Sequence, residues 1–283
     1  DAGIESPHAL ALKAWFETQT PVQQDAYYAV VDRYSGYVHG TAVADIALSG
    51  LPDGEIVIAC MEWWHGSPPI PCWSRELADK EAASIRDLLD FLVANGASVV
   101  VMSWARAEKG YLSNLAECAP EMPEDDRNAL AHYTVQRIRE ELEAGMQAAP
   151  NVLFIGAAGN AGKSLETADQ ATRFSLPNFM IVGAADDTGS AVSWSNTGAE
   201  VNFLARGERV PARLPSGKWT YPSGTSMSAP VLANAAAKML AVSPHLTAVE
   251  LRSILERTAT VNAEGMHVLH TRDAVEAAAG RRK

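Results

Sequence analysis

The sequence predicts an α/β architecture of three layers, a mostly parallel sheet covered on both faces by helices. Three observations carry this expectation. Short apolar runs rich in β-branched residues alternate with longer stretches of helical periodicity. The short runs are apolar almost throughout, as strands buried on both faces are. With 283 residues, 47% hydrophobic and 20% charged, the chain is long enough and apolar enough to bury such a sheet. No repeat, low-complexity tract or linker divides it, so residues 1–283 read as a single domain.

The elements follow in order. Residues 55–61 (EIVIACM) have the composition of a buried strand. The Pro-rich residues 66–71 read as a surface loop. Residues 75–95 place Leu77, Ala82, Ile85, Leu88, Leu89 and Leu92 near helical spacing, and Gly96 stops the pattern. Residues 98–103 (SVVVMS) are a second buried strand, and 105–123 a surface loop. Residues 124–148 form a long amphipathic helix with Leu130, Val135, Ile138 and Leu142 on one stripe. Residues 152–156 and 179–182 are further apolar strands. Residues 225–242 (TSMSAPVLANAAAKMLAV) are apolar nearly all round and predict a buried helix. Residues 246–258 and 271–278 predict closing helices.

Composition excludes some classes of partner. The net charge is -11, from 23 basic and 34 acidic side chains. Nucleic acid is therefore not expected as a partner, because basic patches supply most non-specific attraction to phosphate. No run of 18 apolar residues occurs, so no membrane-spanning helix is expected. The three cysteines, Cys60, Cys72 and Cys118, are odd in number and irregularly spaced. They read as unpaired, with Cys60 as core packing, and lean toward a reducing, cytoplasmic compartment. The opening Asp-Ala-Gly-Ile carries no targeting signal.

Four stretches hold the residue types that acyl transfer to a serine requires: Asp1-Ala-Gly-Ile, His39-Gly-Thr-Ala-Val-Ala, Ala157-Ala-Gly-Asn160 and Gly224-Thr-Ser-Met-Ser-Ala-Pro230. That chemistry needs a hydroxyl nucleophile, an imidazole base, a carboxylate to orient the imidazole, and donors for the developing oxyanion. Ser226 opens the apolar helix, where a free N–H and the helix dipole favour negative charge. The alternative is that Thr225 or Ser226 merely caps that helix. His39 precedes Gly40-Thr41 and a helical run through Val43, Ile46 and Ala47, so it reads as sitting at a helix start. A loop histidine is its alternative. Asn160 could donate its amide to an oxyanion or hold a tight turn.

Taken together, in the order Asp, His, Asn, Ser, these stretches resemble the subtilisin-like serine peptidases, the subtilase family. The resemblance covers nearly all of the chain. Residues 98–105 are similar to the strand leading into the family's substrate-pairing edge. Residues 178–184 and Ser193-Trp-Ser-Asn-Thr-Gly198 match the segment between oxyanion and nucleophile motifs. The resemblance implies a subtilisin-like fold and a serine endopeptidase acting on polypeptides. Ser226 would be the nucleophile, His39 the general base, Asp1 its orienting carboxylate, and Asn160 with the Ser226 N–H the oxyanion hole. Ser103, Trp104, Ala105, Ala157, Ala158 and Gly159 would line the substrate cleft by pairing with an extended peptide. Glu166 and Asp169 read as a solvated loop, the alternative being a pocket for a basic residue before the scissile bond. Trp63, Trp64 and His65 read as core or lid packing, the alternative being the border of an outer subsite.

The chain departs from the family pattern in places. Ala2 stands where a hydroxyl residue is commoner, Ala105 where glycine is usual, and Val231-Leu232 where His-Val is usual. Only residues 48–54 separate the histidine helix from the next expected strand, too few to wrap a cation with 6–8 oxygen ligands. Neither metal nor cofactor is expected. In the family the aspartate follows an interior strand, whereas this sequence opens at Asp1. An upstream segment or a partner chain is therefore expected to complete the sheet, and the domain is expected to be truncated or processed at its N-terminus.

Three alternatives stay open. One is a catalytically inactive subtilase-fold binding module. Another is a nucleotide site at Ala157 to Ser164, where an apolar strand precedes Ala-x4-Gly-Lys-Ser. The third is a sedolisin-type peptidase, which lacks the His-Gly-Thr motif and has an aspartate at the place of Asn160.

Overall fold

A computed structural model describes residues 7–61, 71–167 and 172–280. The chain forms two compact units, Asp1–Thr41 and Ala42–Lys283. The first holds helix α1 (Pro7–Glu17) and most of helix α2 (Pro21–Ala47). Trp15 and Phe16 meet Tyr27 edge to face, and Phe16 meets Tyr28 the same way. A reciprocal cap starts α2: the Thr20 N–H donates to Gln23 Oε1 at 3.0 Å, and the Gln23 N–H to Thr20 Oγ1 at 3.4 Å. Pro21 at the first helical position has no N–H to leave unsatisfied. The helix then runs without interruption through Gly36 and Gly40. This corrects the expectation that His39 stands at a helix start. A glycine inside a helix costs only about 1 kcal/mol relative to alanine, so neither one ends it.

The second unit is built on a six-stranded sheet ordered β1-β2-β3-β4-β8-β7. Strands β1 (Val99–Met102), β2 (Leu153–Ala157), β3 (Phe179–Ala185) and β4 (Val201–Arg206) run parallel, joined by β8 (His267–Val268). The last strand, β7 (Thr260–Val261), is antiparallel to β8. Two short strands, β5 (Ala212–Arg213) and β6 (Trp219–Thr220), form a separate antiparallel pair.

Successive side chains on the central strands serve opposite layers. Phe154, Phe179 and Ile181 face helices α3 (Arg75–Ala94), α4 (Glu108–Cys118) and α5 (Glu124–Ala148), packing with Ile85, Leu115, Ile138 and Leu142. Leu153, Ile155, Met180 and Val182 face α6 (Thr225–Val242), α7 (Ala248–Thr258) and α8 (Thr271–Ala278). All seven residues of β3 are buried, which is why its sequence shows no polar alternation. Asn178 closes the junction between α5 and the sheet. Its Nδ2 donates to the carbonyls of Met146, Ala149 and Val152 at 2.9, 3.1 and 3.3 Å.

Several expectations need correction. Residues 55–61 form no strand; Ile56 and Ile58 are 43% and 64% exposed. Apolar composition shows that a segment can extend, not that a neighbour exists to pair with it. Cys60, on the same segment, is exposed rather than core. Residues 105–123 are not all loop, since they contain α4, whose Tyr111 and Leu115 stand four apart on one buried face. Cys72 and Cys118 form a disulfide with Cα atoms 5.5 Å apart. Two of the three cysteines are therefore paired rather than free, and no reducing compartment follows from them. The bridge joins residues 46 apart, which α3, β1 and α4 bring together.

Candidate active site

The parallel strands β1 and β2 end side by side, and helix α6 begins beside both ends. Ser103 follows β1, residues 158–163 follow β2, and Gly224-Thr225-Ser226 opens α6. A buried asparagine shapes the loop after β2. Asn196 Oδ1 accepts from the N–H groups of Ala161 and Lys163, at 3.0 Å each. Its Nδ2 donates to Ala158 O at 2.9 Å, and its own N–H donates to Gly159 O at 2.9 Å. One side chain, 1% exposed, thus holds the loop by three hydrogen bonds.

Thr225 then ties the loop to the helix. Its N–H and its hydroxyl both donate to Asn160 Oδ1, at 2.9 Å each. The same hydroxyl accepts the Gly159 N–H at 2.9 Å. The capping alternative therefore fails: Gly224 is the residue before the first turn and has no side chain, and the first helical N–H is met by Asn160 rather than by Thr225 or Ser226. Turn-holding is likewise not the work of the Asn160 side chain. Two donors on its Oδ1 fix the rotation of the amide, so Nδ2 faces away from Thr225.

Gly224 shows where that Nδ2 stands. The point a Cβ on Gly224 would occupy lies 2.9 Å from Ser226 Oγ, 3.5 Å from Asn160 Nδ2 and 3.7 Å from Ser226 N. A hydroxyl and two N–H donors thus surround one small space that only glycine leaves open. The Ser226 N–H has no acceptor among the described residues, as expected in the first turn of a helix. With the dipole of the 18-residue α6 behind it, this end favours a negative charge.

Of the cleft residues expected from sequence, Ser103, Trp104 and Ala105 are half-buried and follow β1 directly. Ala157 and Ala158 are buried. The Ala158 N–H donates to Val182 O and the Gly159 N–H to Thr225, while both carbonyls accept from Asn196. Those amides are engaged within the protein, which disfavours pairing of a peptide along Ala158 and Gly159.

His39 belongs to the first unit, on α2, and is half-buried. Burial disfavours the imidazolium and lowers its pKa below the ordinary 6.5. Asp1, Trp63, Trp64, His65 and Asp169 lie outside the described residues. Glu166 is exposed. Among the described residues no three His, Cys, Asp or Glu side chains are grouped to hold a metal ion. Sequence reasoning missed the roles of Thr225 and Asn196. Both stood inside recognised motifs, but their partners lie 33–66 positions away.

Comparison with known proteins bears on the family and the fold. The model of the subtilase family, peptidase S8, matches residues 3–276. Subtilisin E of Bacillus subtilis (strain 168) is 33% identical over 109 residues, 38% of this chain and 29% of that protein. The match thus spans less than a third of that relative's own length. Among solved structures, a lanthipeptide protease superposes with a TM-score of 0.60 at 18% identity, covering 84% of this chain and 75% of the other. The prenylagaramide maturation protease PagA gives 0.53 at 23% identity, over 71% and 69%.

Proposed function

We propose that this chain, which belongs to the subtilase family of serine peptidases, hydrolyses peptide bonds through an acyl-enzyme on Ser226. The observation that carries the reading is the space beside Gly224, enclosed by Ser226 Oγ, Ser226 N and Asn160 Nδ2. Ser226 Oγ attacks the scissile carbonyl carbon while His39 accepts its proton. Asp1 holds the imidazole ring and stabilises its charged form. The carbonyl oxygen becomes an oxyanion, bound by Asn160 Nδ2 and the Ser226 N–H. His39 returns the proton to the leaving amine as the C–N bond breaks. Water, deprotonated by the same histidine, then cleaves the ester and restores the Ser226 hydroxyl. Residues 103–105 pair with the extended peptide, and Ala157 to Gly159 wall the groove.

A nucleotide at Ala157 to Ser164 is disfavoured on physical grounds. A phosphate cradle needs free backbone N–H groups and a following helix. Here the amides of Ala158, Gly159, Ala161, Gly162 and Lys163 all have acceptors, and a three-residue 3-10 turn, Leu165–Thr167, follows.

A fluorophosphonate probe tests the proposal. The intact chain is expected to take one label and to cleave a denatured polypeptide, with both activities abolished by Ser226→Ala. A folded chain that takes no label would instead fit the inactive binding module.

A further inference from the structure

Helix α6 contains a proline, Pro230, in its second turn. In an α-helix the carbonyl of residue i accepts the N–H of residue i+4. For Ser226 that position is Pro230, which has no N–H to donate. The carbonyl deprived of its helical donor is thus that of the nucleophile's own residue. A donor reaches it from elsewhere: Ser103 Oγ, from a residue 123 positions earlier, lies 2.8 Å from Ser226 O.

We propose that Ser103 is a positioning residue for Ser226, its hydroxyl standing in for the hydrogen bond that Pro230 removes. This rests on the reading of Ser226 as nucleophile. Water could also satisfy the carbonyl, but a mobile water sets no position. Ser103 sets one, because it is anchored at the end of β1, whose four residues pair in register with β2. The bond also makes one rigid piece of two working parts. Residues 103–105 receive the substrate backbone, and the first turn of α6 presents the attacking hydroxyl. Peptide paired on the strand is thereby placed relative to the oxygen that attacks it.

The test is a double-mutant cycle in the full chain, read by the rate constant of fluorophosphonate labelling and by kcat and KM on a peptide. Ser103→Ala is expected to slow labelling and kcat by about three- to tenfold, the worth of one hydrogen bond, with KM little changed. Ser103→Thr keeps the hydroxyl and is expected to restore the rate to within about twofold. Pro230→Ala supplies the missing helical N–H, so adding Ser103→Ala to it is expected to cost less than about twofold. Thermal denaturation of each variant separates loss of positioning from loss of folding. An equal cost of Ser103→Ala with and without Pro230→Ala would overturn the proposal, as would a Ser103→Thr variant as slow as Ser103→Ala. A folded wild-type chain that takes no label would instead remove the nucleophile reading, and this proposal with it.

Discussion

At the scale of single residues, the site depends on which atoms are already engaged. Asn160 spends its Oδ1 on Thr225, and this leaves Nδ2 free to donate. Asn160→Leu removes both contacts while Ser226 and its N–H remain. In subtilisin, a relative of this chain, loss of such a donor costs about a hundred- to a thousand-fold in turnover. The same range is expected here, in kcat rather than KM, because the donor binds the transition state more strongly than the substrate. His39 supplies a pH dependence with a definite sign. The neutral imidazole is the active form, and burial holds its pKa below 6.5. Activity is therefore expected to rise with pH as His39 loses its proton, burial drawing that titration down and a carboxylate partner drawing it up. A folded His39→Ala variant that keeps the parent's labelling rate would argue against His39 as the base.

At the scale of elements, junctions matter as much as helices and strands. Asn178 satisfies three carbonyls where α5 ends and β2 begins, and it is 3% exposed. Asn178→Ala strips those carbonyls of a buried donor and is expected to cost about 1–3 kcal/mol in urea denaturation. That junction was not legible from sequence, although the elements on either side of it were. Glu124–Ala148, Thr225–Val242 and Thr271–Ala278 are helices with the bounds the periodicity predicts. Long repeats of apolar spacing leave little freedom in where such helices lie. Short elements offer no such signal. In α4 only Tyr111 and Leu115 are fully buried, and two positions do not make a period. Residues 55–61 fail in the opposite sense: Ile56, Val57 and Ile58 have strand propensity, but propensity names no partner strand. The four motifs were legible as motifs because each is a run of neighbouring residues. Thr225 with Asn160, Asn196 with the loop after β2, and Ser103 with Ser226 were not, because each links positions far apart in the chain.

At the scale of the whole molecule, one covalent link ties the layer formed by α3, α4 and α5. Cys72 lies just before α3 and Cys118 ends α4, so the disulfide closes a loop that includes β1. Cys118→Ser opens that loop and is expected to lower stability by about 2–4 kcal/mol, read as a lower denaturation midpoint. The bridge belongs to the layer of α3 and α4, whereas Ser226 opens α6 in the other layer, so the fluorophosphonate labelling rate of the folded variant should hold. A variant as stable as the parent would show that packing around Tyr111 and Trp73, whose rings stand 4.8 Å apart, already holds this layer.

Helix α6 is buried largely through small side chains, with Ala229, Ala233, Ala235 and Ala236 enclosed beside Leu232 and Met239. Alanine lets the helix axis ride low over the strands, and its height decides how far the reacting oxygen projects. The buried flank of α6 thus acts as a shim beneath Ser226. A single added methyl there, at Ala233 or Ala236, would tilt the whole rod and shift its leading end, with no residue of the groove altered. Variation that tunes turnover has a place to act on the hidden side of this helix, out of reach of any substrate.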